Sequence, residues 1–194
     1  MTTHSDTTLA PLVYARVAGV AFLLYIAAGL TSMNLADTSP IADVLALLMS
    51  FSALVLGVTL YVLTREQGPA LALLALVCRV LEAVPVGEPA IFFAVGSTIF
   101  SWLLLRGRLI PVPLAWLGVI ASALLVVILP LQVAGLFGGS MAWSASITWI
   151  VWLPALVFEL ALALWLLVKG VALPAPGVVT GSRADYAAHG NEAA

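Results

Sequence analysis

Arg79, Glu82 and Glu159 are ionisable residues that fall in the middle of apolar, helix-length runs. An ionised side chain at the centre of a bilayer costs about 2.5–3.5 kcal/mol on insertion scales, so such residues persist where they face inward and meet a partner. Arg79 and Glu82 are three residues apart, which puts them on one helix face. Arg79 lies ten residues after Pro69, and Glu159 ten residues before Lys169. If those two positions mark one membrane boundary, both side chains stand ~15 Å above it at the rise of an α-helix. Helices three and six are therefore expected to pack together, with Arg79 bridging the two glutamates. Ala155 and Ala163, small residues flanking Glu159 at four-residue spacing, would allow the close approach. One guanidinium facing two carboxyls leaves one negative charge unbalanced, so one glutamate is expected to hold a proton. Glu82, ~5 Å further from that boundary, is the expected one. The chemistry open to such a centre is proton exchange or general acid catalysis. A clasp that fixes helix register is the plainer role.

At comparable depth lie Tyr25, Ser52, Ser97, Thr98 and Ser122. They are expected either to line the same interior or to hydrogen-bond back to their own helices. Cys78 is read as a small packing residue, and as the single cysteine it excludes a disulfide within the chain. Both histidines, His4 and His189, fall in polar tails, which argues against a histidine-ligated zinc site or a bis-histidine haem. No cofactor and no metal is expected.

The elements that position these residues follow from composition. Hydrophobic residues make up 63% of the 194 and charged residues 8%, too few charges to cover a soluble domain. The reading is an all-α integral membrane bundle of six helices, over 12–33, 40–64, 69–84, 89–105, 113–137 and 143–168. Residues 1–11 form a polar N-terminal tail and 170–194 a disordered C-terminal one. Residues 34–36, Asn-Leu-Ala, make a poor cleavage site, so the first run is expected to remain as an anchor. Ser39 caps the second helix, with Pro40 in its first turn. Pro85, Gly87 and Pro89 stop the third near Val84. Its sixteen residues rise only ~24 Å, yet two full spans are expected over 69–105. Pro130 kinks the fifth helix and Pro154 the sixth.

With six spans, Arg16, Arg65, Arg106, Arg108, Lys169 and Arg183 collect on one side, and Asp37, Asp43 and Glu88 on the other. The positive-inside rule then puts both termini in the cytoplasm. Tyr14, Tyr61, Trp102, Trp116 and Trp165 would sit near the inner boundary, with Trp143 and Trp149 near the outer one, as interfacial anchors rather than a ligand cage.

Several stretches resemble a known family. They are Ala15-Arg16-Val17-Ala18-Gly19, Arg79-Val80-Leu81-Glu82-Ala83, and Arg106-Gly107-Arg108-Leu109-Ile110-Pro111 with Leu114-Ala115-Trp116-Leu117-Gly118. The most specific is Leu153-Pro154-Ala155-Leu156-Val157-Phe158-Glu159, continuing through Leu164-Trp165-Leu166-Leu167-Val168-Lys169-Gly170. Over 12–170 the chain resembles the bacterial membrane proteins of domain-of-unknown-function family 4386. The resemblance implies a bacterial inner-membrane protein of about six helices, and no activity.

Three classes of function fit these residues. The default is a non-enzymatic multi-pass membrane protein. The second is a small-solute or proton-coupled carrier; no repeat relates 12–105 to 106–170, and a gated path would need a homo-oligomer. The third is an intramembrane acid–base enzyme acting on a lipid or isoprenoid, with Arg79 holding an anionic headgroup or tuning the acid; no aspartate-rich or glycine-rich phosphate motif supports it. Beyond the bilayer, the expected partner is a lipid or small apolar ligand. Nucleic acid is excluded by the lack of a basic patch.

Overall fold

The computed structural model describes residues 6–35, 39–84, 87–136 and 146–172. Those residues form six α-helices and no strand: α1 Asp6–Ser32, α2 Pro40–Thr64, α3 Pro69–Ala83, α4 Pro89–Arg106, α5 Val112–Val133 and α6 Ser146–Val168, with a 3-10 turn at Arg65–Gln67. His4, Asp37, Trp143, Arg183, His189 and the tail from 173 onward lie outside the described residues.

Local chemistry sets the helix ends. The Ser39 hydroxyl accepts the Ile41 N–H at 3.3 Å, and Pro40 follows where no N–H partner is needed. Pro69 opens α3 and Pro89 opens α4 in the same way. Beyond Ala83 the backbone turns extended at Val84, φ −107° and ψ 132°, so α3 ends there. The last helix finishes on Gly170, whose φ of +75° suits a residue without Cβ, while its N–H donates to the Trp165 carbonyl.

Three boundaries differ from expectation, one being the end of α5 at Val133 rather than at 137. The first helix begins at Asp6, so Pro11 lies inside it rather than closing a tail. The start of the C-terminal tail is held in place, because the Ala172 N–H donates to the Leu109 carbonyl at 2.9 Å.

Five helices are long and apolar enough to cross a membrane, over Ala10–Ser32, Pro40–Gln67, Pro89–Arg106, Val112–Val133 and Thr148–Val168. The third is not among them. Its 15 residues rise ~22 Å, against a hydrocarbon core of ~30 Å. The expected sixth full span is therefore a shorter helix laid between α2 and α4.

Each helix packs on its neighbours in the chain, and α6 closes back on α1, giving a ring. This corrects the expectation that α3 and α6 are partners. Ala163 faces α1, where a Cβ on Gly19 would lie 2.8 Å from the Ala163 carbonyl oxygen. Ala155 packs into a cluster with Phe93, Ala121, Leu125 and Leu129 of α4 and α5. Small residues thus do bring helices close here, but to different partners.

Leucine, valine and phenylalanine side chains cover the outside; Val44, Phe51 and Ile120 are each more than 60% exposed. That is the pattern of a bundle solvated by lipid. One half of the interior is filled by Ala15, Phe22, Leu60, Phe100, Phe158 and Leu166, among others. At the end of that half, the side chain of Gln67 packs against Gly107 and the chain after α6 meets Leu109. The α2–α3 turn, the α4–α5 turn and the exit from α6 therefore share one end, which gathers Arg65, Arg106, Arg108 and Lys169. Asp43 and Glu88 mark the other, in the first turn of α2 and just before α4.

Candidate functional site

Arg79 is the largest side chain held almost wholly out of solvent, at 1% exposure. Glycines on both neighbouring helices make room for its stem. A Cβ on Gly57 of α2 would stand 3.0 Å from the Arg79 Cβ, and one on Gly96 of α4 would stand 3.1 Å from the Cβ of Cys78 and 3.8 Å from the Arg79 Cγ. The third helix is wedged between these two surfaces, and its arginine is aimed inward. Cys78 is buried at that seam, as a small packing residue should be.

The guanidinium reaches four groups. Nη1 donates to Glu82 Oε2 at 2.9 Å. Nη2 donates to the Ser97 hydroxyl at 2.8 Å and lies 3.8 Å from Glu159 Oε1. The group sits over the ring of Phe93, with Cζ 4.8 Å from its centroid, in cation–π range. From α1, the Tyr25 hydroxyl donates to Glu82 Oε1 at 2.6 Å. Both Glu82 oxygens thus accept a donor, the setting of an ionised carboxylate. Glu159 accepts no side-chain hydrogen bond among the described residues, and its pairing with Arg79 is the longer one. The hydrogen bonding reverses the expected division: Glu82, expected to hold a proton, is the better-satisfied anion.

Of the five polar residues expected at this depth, Tyr25 and Ser97 join the cluster. Thr98 hydrogen-bonds back to the Ala94 carbonyl of its own helix at 2.8 Å. Ser52 and Ser122 are buried on α2 and α5 and do not join the cluster's hydrogen bonds. Sequence reasoning missed Phe93. Its signal was available, since Phe93, Ser97 and Phe100 recur at helical spacing on α4 and all are buried.

Above the cluster, towards the acidic end, lies a cavity of about 450 Å³. Glu82, Glu159 and Tyr25 supply its polar floor, and Ile26, Met49, Phe93, Trp149, Trp152 and Leu156 belong to its apolar wall. It reaches the helix ends at Met33 and Pro89. The end of α3 borders this space, because Ala83 is the last helical residue of α3 and lines the cavity. Trp149 and Trp152 line it too, which corrects the reading of Trp149 as an interfacial anchor alone. On the other side of the guanidinium the packing closes to a void of about 10 Å³ lined by Arg79, Ser97, Phe158 and Glu159. Arg79 lines that void and not the large cavity, so it presents no free guanidinium to an anionic headgroup.

Apolar helices of spanning length, lipid-facing side chains and a polar cluster sealed among them define a multi-pass membrane protein. Residues 89–170, which run from α4 through α6 and carry Ser97 and Glu159, match the family model described as "Domain of unknown function (DUF4386)", and the chain resembles that family there. No curated protein and no solved structure matches the chain.

Proposed function

We propose that this is a non-enzymatic membrane protein that binds a small amphiphile, a lipid or lipid-like molecule, in the cavity above Arg79. The observation that carries the reading is the cavity itself. Its ~450 Å³ falls in the range of small-molecule sites, and a mostly apolar wall with a few convergent polar groups is the usual composition of such sites. The cavity is single-ended among the described residues: below the cluster the core is packed and the remaining void is too small to pass a solute. A blind chamber favours binding over the carrier reading. Of the residues that an acid–base enzyme would use, Arg79, Glu82 and Tyr25 are tied to one another, which leaves Glu159 without a second free group to work with and disfavours the third class.

We further place the protein in the bacterial inner membrane with its basic end in the cytoplasm and both termini there. The family resemblance supports the compartment, and the gathering of Arg65, Arg106, Arg108 and Lys169 at one end supports the orientation. The cavity then faces the extracytoplasmic side.

The test is thermal unfolding of the purified protein in phosphatidylcholine nanodiscs with medium-chain amphiphiles added. Expected is saturable stabilisation, about 2.7 kcal/mol at a hundredfold excess over Kd. It should vanish in Ala90→Phe, which fills the cavity wall. Equal shifts in the filled variant, or none in the wild type, would remove the reading.

A further inference from the structure

We infer that the headgroup taken by this cavity is a protonated amine, bound against Glu159. The inference rests on the amphiphile-binding reading above and specifies its ligand.

The charge count points that way. The cluster holds one guanidinium and two carboxyls, and no lysine, arginine or histidine lines the cavity among the described residues. The guanidinium is spent on the side away from the cavity, on Ser97, and on Glu82. Glu82 in turn is filled by Arg79 and Tyr25, and Tyr25 has already given its only proton to it. What faces the chamber is therefore two carboxyls with neutral hydroxyl and indole groups around them, and no cationic side chain among the described residues. Glu159 is its open member: the side chain is 8% exposed, lines the cavity, and receives no side-chain hydrogen bond. A buried carboxylate without donors is costly, and a group that brings both a positive charge and N–H donors relieves it.

The rings beside it suit such a head. Tyr25 and Phe93 stack with centroids 6.4 Å apart, and Trp152 tilts over Phe93 at 5.3 Å. Aromatic faces attract a cation that comes within about 6 Å of a ring centroid. An alkyl chain would then extend along Ile26, Met49 and Leu156 towards the acidic end. An anionic head would meet two carboxyls and no cation among the described residues, and is disfavoured. A proton on Glu159 would balance the charge as well, and would make a hydroxyl head the better ligand; the probes below separate these two states.

The experiment compares n-decylamine, n-decanol and decanoate at neutral pH on the full chain in phosphatidylcholine nanodiscs, reading Kd from the concentration dependence of Tm. Decylamine is expected to bind at least tenfold more tightly than decanol, with no saturable shift from decanoate. Glu159→Gln should weaken decylamine at least tenfold and leave decanol unchanged. Decanol binding as tightly as decylamine, or decylamine indifferent to Glu159→Gln, overturns the headgroup assignment while the amphiphile site stands. No saturable shift from any of the three removes both. If Glu159→Gln does not fold, the wild-type ranking of the three heads decides alone.

Discussion

Arg79 and Glu159 stand on helices that are not packing partners, yet their charged groups come within 3.8 Å. The third helix packs on α2 and α4, the sixth on α5 and α1, and the long arginine side chain spans the middle of the ring between them. A contact made across the centre by one flexible side chain differs from one made by two abutting helices. It ties opposite walls together without dictating how closely they approach. It also leaves space on the side where α3 stops short.

Removing the cation should be the most damaging single change. Arg79→Leu strands two buried carboxyls, and breaking a buried pair typically costs about 3–5 kcal/mol. Unfolding in detergent should show that loss. A second substitution, Glu82→Leu, should recover more of it than Glu159→Leu, because the Glu82 contact is 2.9 Å and the Glu159 contact 3.8 Å. Equal recovery would mean that the two carboxyls share the guanidinium evenly.

Tyr25→Phe deletes one hydroxyl and little volume. It removes a hydrogen bond to a charged acceptor, worth about 1.5–3 kcal/mol. Thermal unfolding should register that loss. A stability unchanged from wild type would show that Glu82 does not depend on α1.

The wedge around α3 predicts a graded response to added methyl groups. Gly57→Ala and Gly96→Ala each place a Cβ at 3.0–3.1 Å from neighbouring atoms, and overpacking of this kind costs about 1–3 kcal/mol. Gly118→Ala should be worse, since its Cβ would fall 2.4 Å from the ring of Phe158. Gly29→Ala is the control: its nearest neighbour is a flexible methionine end at 3.5 Å, and stability should not change. Folded yield and Tm across the four variants test the order.

Part of this architecture was legible because local chemistry writes it. Ser39, Pro40 and the polar turn after Thr64 mark α2 at both ends, and the common height of Arg79 and Glu159 follows from equal counts of helical rise. Helix neighbours were not legible. In an apolar helix, small residues occur on several faces, so Ala155 and Ala163 pointed to a close approach without saying to what. They turned out to serve α4, α5 and α1. Pro11 misled for a related reason: it reads as a boundary, but a helix that begins at Asp6 carries it in its second turn. That Glu82 rather than Glu159 collects the hydrogen bonds depended on where the Tyr25 hydroxyl reaches, a question of ring geometry that spacing does not answer. The cavity was the least legible feature, because its volume belongs to no residue.

That volume borders the end of α3, which falls about a turn and a half short of the bilayer's hydrocarbon thickness. Its depth is consequently a matter of chain length at a single place, between Ala83 and Pro89. One more turn there, ~5.4 Å, would plug the chamber from above; one fewer would deepen it towards the arginine. Insertions at that joint offer a way to retune which guest fits, whereas a deletion of a whole turn would reach Glu82 and so the ionic centre.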